Sequence, residues 1–189
     1  MISQPFIYQP LDILLFRNNP INPVSGLIEV LTRRDGQDGF SHAAVCISSD
    51  RVFECTLVKG CNGCRELAIA DLLAEYGEGS QVWLFRPTPE TLAAVDQTKF
   101  TAACAEMVGI ISYSVADLFQ FLVSASFSLV NPDTKTSMVC SMAVARVFVE
   151  CCAYMRGVHY ERMSPADIAT WADPARIGGA LLMPGQRIK

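Results

Sequence analysis

Two histidines supply the only imidazoles in this chain, and they stand in different surroundings. His159 lies in a polar stretch between predicted helices, where a solvated histidine is the ordinary interpretation. His42 opens the apolar segment 41–47, and a histidine in such a segment needs a hydrogen-bond partner. If the following turn holds an odd number of residues, Glu54 lies on the same face of a hairpin as His42. Such a pair is either structural or the base and orienting carboxylate of a catalytic triad.

Cys140 is the candidate nucleophile, because it stands at the predicted start of a buried helix over 140–155. The first turn of a helix offers free backbone N–H groups and the positive end of the macrodipole, which favour a thiolate and can bind an oxyanion. Spacing alone does not single out Cys140, since the chain contains eight cysteines.

A second constellation is Cys61-Asn-Gly-Cys64, which has the spacing of a metal-binding or redox pair. The sequence contains no second pair with this spacing. We therefore interpret the segment as a loop with two incidental thiols, with a zinc site or a redox pair as alternatives. Cys151 and Cys152 are adjacent on an apolar helix and are expected to be packing residues. No metal or other cofactor is expected.

Length and composition predict one soluble domain over residues 1–189. Of its residues, 51% are hydrophobic and 18% are charged, a composition that excludes intrinsic disorder. A chain of this length and composition can form a hydrophobic core that is stable without disulfides or metals. Its net charge is −4, and no Lys/Arg block could neutralise a row of phosphates. We therefore expect no nucleic-acid partner.

The opening residues, MISQPFIYQPLDILLF, lack the basic region and the cleavage site of a signal peptide. Most of the cysteines lie in apolar stretches, as buried free thiols do. We therefore expect a reducing, cytoplasmic environment for the protein as made, with delivery by a non-classical route as the alternative.

The segment from Val108 to Val130 is apolar enough to suggest a membrane span. Ser114 and Asp117, however, form a predicted capping box that shortens the helix to 115–129. About 15 residues rise roughly 22 Å, short of the ~30 Å hydrocarbon core. We expect a buried helix and no stable membrane span, with a membrane span or a re-entrant anchor as the alternatives.

The remaining patterns place short strands among helices without regular βαβ alternation, which predicts an α+β fold. Strands are expected over 11–17, 41–47, 51–56 and 81–86. Helices are expected over 23–33, 65–76, 115–129, 140–155 and 165–172, and a further helix begins at 89 and extends towards Met107.

Several of these segments, in this order, resemble the circularly permuted NlpC-type papain-like superfamily: DILLFR (12–17), SHAAV (41–45), RVFE (51–54), ISYSVADL (111–118), VCSMAVARVF (139–148) and SPADI (164–168). The resemblance covers about residues 11 to 170. It implies a permuted papain-like fold, in which a small antiparallel sheet packs against a central helix with the nucleophilic cysteine. The chain departs from the pattern at Leu11, where Gly is usual, and at Val139, where a polar or aromatic residue is frequent.

The same resemblance implies a role for each candidate site residue. His42 would be the base, Glu54 its orienting carboxylate and Cys140 the nucleophile. Tyr113 would donate a hydrogen bond to an oxyanion or a substrate carbonyl, although a tyrosine at this place also fits simple packing.

The function expected from these roles is that of a cysteine hydrolase, which cleaves an amide bond through an acyl-enzyme. A small peptide or a peptidoglycan fragment is the expected substrate. The alternatives are a lipid acyltransferase or thioesterase of the same fold, which takes an acyl substrate, and a catalytically silent binding module.

Overall fold

The computed structural model describes residues 6–17, 39–58, 60–113, 137–175 and 179–189. The helices predicted over 23–33 and 115–129 lie outside these ranges. The described residues form an α+β structure, which confirms the predicted class.

Eight strands are present in the described part of the chain. They are β1 (Ile13–Arg17), β2 (His42–Cys46), β3 (Arg51–Val58), β4 (Cys61–Ala68), β5 (Gln81–Phe85), β6 (Ser112–Tyr113), β7 (Ser137–Met138) and β8 (Gln186–Arg187). Six of them form an antiparallel sheet in the order β4-β3-β2-β1-β5-β8, and β6 pairs with β7 in parallel.

Five α-helices accompany the strands in the same ranges: α1 (Ile69–Glu75), α2 (Pro89–Ala93), α3 (Gln97–Met107), α4 (Cys140–Cys151) and α5 (Pro165–Ala169). Short 3₁₀ helices span Ala153–Met155, Tyr160–Arg162 and Thr170–Ala172. The predicted starts of α4 and α5 are confirmed. Ser164 and Asp167 form a capping box at the start of α5, which satisfies backbone N–H groups that have no partner within the helix.

The two faces of the sheet are covered by different helices. Apolar side chains of β1, β2 and β3 pack on one face against α3 and α4, where Met107, Val144 and Phe148 are among the buried residues. On the other face, Leu14, Phe16 and neighbouring side chains pack against α1. Burial on both faces explains why β1 and β2 contain so few polar residues.

The β2–β3 hairpin has the register on which the pairing of His42 with Glu54 depends. Ala44 lies opposite Glu54 and Cys46 opposite Val52, so an odd number of residues connects the paired positions. Even-numbered residues of the two strands therefore lie on one face.

Leu11 precedes β1 in the left-handed conformation, with φ of 73°. A side chain is strained in this conformation, which glycine adopts readily. The Leu11 side chain is fully buried and its N–H donates to the Cys46 carbonyl at 2.8 Å. Its apolar contacts therefore offset the backbone strain.

The prediction of one helix over 65–76 is wrong, because the first part of this segment is strand β4. Residues Cys61–Ala68 pair with β3 along their whole length, and the helix begins only at Ile69. Cys61 and Cys64 therefore belong to a strand, not to the predicted loop. Gly60, with φ of 87°, lies in the two-residue connection that closes this hairpin. Pairing with β3 overrides the helical pattern of the local sequence.

The helix predicted from 89 towards Met107 is interrupted. Val95 forms a β-bridge with Cys152, and the Asp96 N–H donates to the Cys151 carbonyl at 2.8 Å. The Asp96 side chain then caps α3 by accepting from Thr98 and Lys99. These contacts separate α2 from α3, and the Val95 bridge also marks the end of α4 at Cys151, before the predicted end at 155.

None of the helices within the described ranges is both long enough and apolar enough to cross a membrane.

Candidate active site

His42 and Glu54 form a buried pair at one end of β2. The Nε2 atom of His42 lies 2.5 Å from Oε2 of Glu54. The exposed fractions of the two residues are 6% and 0%. The predicted pairing is confirmed, because the hairpin register places both side chains on the same face of the sheet.

The other carboxylate oxygen of Glu54 is occupied by Arg65, which lies directly opposite Glu54 on β4. Arg65 Nε donates to Glu54 Oε1 at 2.8 Å, and the guanidinium also pairs with Glu75 at the end of α1. The sequence analysis missed Arg65, because it placed this residue on a helix.

The charges of His42, Glu54 and Arg65 stabilise one another. Burial opposes the charge of His42, but Cys140 and then Glu54 outweigh it and raise the pKa of His42 to about 10. Burial likewise opposes the charge of Glu54, but His42 and then Arg65 outweigh it and lower the pKa of Glu54. An imidazolium beside a carboxylate is therefore the state that this environment favours at neutral pH.

Cys140, the first residue of α4, lies beside the imidazole of His42. Its charge and a side-chain hydrogen bond are both among the causes that raise the pKa of His42. No side chain described here caps the start of α4, since the N-cap residue is Val139. The first backbone N–H groups of the helix are therefore without a side-chain cap. Ser141 anchors this turn by donating to the Met163 carbonyl at 2.6 Å.

Tyr113 is brought to the same place by β6. Burial and the nearby Cys140 and Cys55 raise the pKa of Tyr113, so its hydroxyl stays protonated and can donate. Its backbone N–H donates to the Asn62 side chain at 3.1 Å. The structure therefore brings Tyr113 close to Cys140, and the donor role stays a prediction.

Tyr76 is a further residue of the site that the sequence analysis did not identify. Its ring stacks on Phe16 with centroids 4.1 Å apart and lies 5.4 Å from the ring of His42. Burial, followed by the charges of Glu54 and Cys140, raises the pKa of Tyr76 well above its usual value. Tyr76 follows α1 directly, so recognising the β4–α1 boundary would have placed it here.

His159 and the cysteines other than Cys140 were also considered as site residues. His159 is exposed, with Nδ1 3.9 Å from Glu161 Oε2. Cys64 lies opposite Cys55 across the β3–β4 hairpin, and Cys151 and Cys152 are buried in the core, as expected of packing residues. All eight cysteines lie in the described ranges and are free. Across those ranges, no three His, Cys, Asp or Glu residues are placed to hold a metal ion.

The arrangement provides the parts of nucleophilic catalysis in one place. A thiol lies beside an imidazole, and a carboxylate binds Nε2 of that ring. Uncapped N–H groups at the start of α4, together with Tyr113, are potential donors to a developing negative charge.

No protein-family model matches the chain, and no curated protein is similar enough to count as a match.

Proposed function

We propose that this protein is a cysteine hydrolase that cleaves an amide bond of a peptide or peptidoglycan-type substrate. One observation above all supports this proposal: the imidazole of His42 is bound to the carboxylate of Glu54 and lies close to Cys140, the first residue of α4. A purely structural His–Glu pair would not require a thiol at the start of a helix beside the ring.

In the proposed reaction, the resting site is a thiolate–imidazolium pair of Cys140 and His42. The thiolate attacks the substrate carbonyl, and a bond forms between Sγ and the carbonyl carbon while the oxygen becomes an anion. The imidazolium then protonates the leaving amine as the C–N bond breaks. The products of this first half are an acyl-enzyme and a free amine.

Deacylation uses His42 as a base. Because Cys140 is the largest of the causes that raise the pKa of His42, acylation of the sulfur removes that contribution. The neutral imidazole can then take a proton from water, which attacks the thioester and releases the acid and the thiolate. Glu54 keeps the ring oriented throughout.

The oxyanion of each tetrahedral intermediate would be held at the start of α4. The backbone N–H groups there point along the helix dipole, and Tyr113 supplies a protonated hydroxyl close to Cys140.

The proposed reaction agrees with the permuted papain-like arrangement that the sequence resembles. An antiparallel sheet packs against α4, and α4 begins at the proposed nucleophile. We propose the family relationship on this combination of order and architecture.

The experiment is turnover of matched substrates by the wild-type protein and Cys140→Ala. Peptidoglycan-type peptides are offered in one arm, and acyl thioesters or phospholipids in the other. Cys140-dependent amine release, with a covalent acyl adduct on Cys140 by mass spectrometry, is expected in the peptide arm. Turnover in neither arm, together with an unreactive Cys140, would instead favour a silent binding module.

Acyl transfer is the second candidate, and exposed apolar residues near the site favour it. Leu57 and Val58 lie at the tip of the β3–β4 hairpin, and Val108 and Ile110 precede β6. Ile110 is 71% exposed. Such residues beside Tyr113 suit an acyl chain. Release of fatty acid without peptide cleavage would replace the first candidate with this one.

A further inference from the structure

Arg65 occupies a position between two carboxylates. On one side, its Nε and a terminal nitrogen lie 2.8 and 2.6 Å from Glu54 Oε1. On the other side, two terminal nitrogens lie 3.2 and 2.5 Å from the two oxygens of Glu75. Glu54 is fully buried and Glu75 is exposed, so the guanidinium connects the interior of the site to the end of α1.

This arrangement leaves Glu54 little freedom. Oε2 is bound to His42 and Oε1 to Arg65, so the plane of the carboxylate is fixed from both sides. Without Arg65, Oε1 would be a buried acceptor that lacks this cation, and the carboxylate could turn away from His42. Arg65 itself is held by Glu75, which belongs to the same helix end as Tyr76.

We propose that Arg65 is a positioning residue that fixes Glu54 towards His42 and keeps it ionised, and that Glu75 holds Arg65 in this place. The proposal rests on the proposed function for its effect on catalysis. The titratable and charged groups that interact with Glu54 from the elements around it are His42, Arg65, Tyr76, Cys55 and Cys61. Glu75 binds the other side of Arg65, and Cys140 interacts with His42.

The test uses Arg65→Met, which removes the charge and the donors, and Arg65→Lys, which keeps the charge without the planar fork. Arg51→Met is the matched control, because Arg51 lies on the same hairpin and pairs only loosely with Glu66 at 3.9 Å. The first measurement is the ¹³C carboxyl titration of Glu54, assigned by comparison with Glu54→Gln. The second is the rate of Cys140 alkylation by iodoacetamide as a function of pH.

In Arg65→Met, we expect the Glu54 titration to move to higher pH and the midpoint of the alkylation profile to rise by about one pH unit. Arg65→Lys should restore part of both shifts, and Arg51→Met should change neither. A role in folding alone would lower the thermal midpoint without moving either profile, and that result would overturn the proposal. If Arg65→Met does not fold, Arg65→Lys decides: unchanged profiles in that variant would overturn the proposal, because Lys lacks the planar fork that fixes the carboxylate of Glu54.

The carboxyl titration needs no catalysis, so it separates this proposal from the proposed function. If wild-type Cys140 reacts no faster than an ordinary thiol, the hydrolase proposal fails. A shifted Glu54 titration in Arg65→Met would still support the positioning of Glu54, and an unshifted one would contradict it.

Discussion

Gly63 on β4 packs against the carbonyl oxygen of Ile111, so closely that a β-carbon on Gly63 would lie 2.1 Å from that oxygen. The neighbouring Cys64 N–H donates to the same carbonyl at 3.1 Å. Ile111 directly precedes β6, which brings Tyr113 to Cys140. The distance between Cys140 and the Tyr113 hydroxyl therefore depends on a glycine at position 63.

We expect Gly63→Ala to displace β6. The new methyl group would clash with the backbone carbonyl of Ile111, and this carbonyl can move only if the adjoining strand β6 moves with it. The φ of Gly63, 134°, adds strain for any side chain. The free energy of unfolding should fall by about 1–3 kcal/mol, and turnover should fall further than the loss of folded protein explains. Chemical denaturation and activity per folded molecule measure the two effects.

Gly60→Ala is the control for this change. Gly60 also has a positive φ, but a β-carbon there would meet nothing within 4 Å. It should cost about 1 kcal/mol of stability and leave turnover per folded molecule unchanged. Equal losses of activity in both variants would show that strain in the hairpin, and not the position of Tyr113, is responsible.

Cys140 should be the most reactive of the eight thiols. It combines the start of a helix with contact to His42, whereas burial raises the pKa of Cys46, Cys104 and Cys151. Limited labelling with iodoacetamide near neutral pH, mapped by mass spectrometry, measures this order. The reagent must be small, because Cys140 is only 4% exposed.

The competing thiol in this experiment is Cys61, which is only partly buried. Preferential labelling of Cys61 with an inert Cys140 would contradict the nucleophile assignment. Labelling that moves from Cys140 to Cys61 in His42→Ala would support it, since the reactivity of Cys140 would then depend on the imidazole.

Glu54→Gln should weaken catalysis while the fold is retained. The amide is similar in size, but it removes the charge that stabilises the imidazolium and fixes its orientation. Turnover should fall on the order of 10²-fold or more, while loss of the charged hydrogen bond costs about 1–3 kcal/mol of stability. Parallel measurements of turnover, alkylation rate and thermal unfolding are required.

Unchanged turnover and thiol reactivity in Glu54→Gln would remove Glu54 from the triad and leave its contact with His42 as a structural pair. Glu66→Gln is the matched control, since Glu66 lies on the neighbouring strand and makes only a loose exposed pair with Arg51.

Local sequence signals were sufficient for the contact between His42 and Glu54. Two short runs of β-forming residues around Ser48 to Asp50 predict the hairpin, and the parity of its turn decides which side chains share a face. The start of α4 and the capping box at Ser164 were likewise predictable, because helix ends depend on neighbouring residues.

Arg65 and Tyr76 could not be placed in the same way. Leu67, Ile69, Leu72 and Leu73 follow a helical spacing, and only pairing with β3 converts the first part of the segment into a strand. The register in which Val58 lies opposite Cys61 also places Arg65 opposite Glu54. Non-local pairing of this kind leaves little trace in local periodicity, and β6 and β7 are too short to leave any.

The titration of His42 should make the stability of the protein depend on pH. The pKa of His42 is raised from 6.5 to about 10, and Cys140 is the largest of the causes that raise it. Because the pKa of His42 is higher in the folded state, protonation of His42 stabilises that state fully at pH values below the pKa of the unfolded state. This stabilisation is lost as the pH rises through about 10. The pKa of Glu54 is shifted in the opposite direction, to a lower value. The stability that Glu54 contributes is therefore lost as the pH falls below the ordinary carboxyl range. Stability should therefore decline on both sides of neutrality.

Cys140→Ala tests the first half of this account, because removing the thiol removes its charge from beside the ring. The pKa of His42 should fall in this variant, so the loss of stability on the alkaline side should be smaller and should end at lower pH than in the wild type. NMR of the imidazole protons measures the shift, and the exposed His159 provides a second signal that should not change between the two proteins. A His42 titration that is the same with and without Cys140 would show that the thiol does not interact with the imidazole, and the thiolate–imidazolium pair would have to be abandoned.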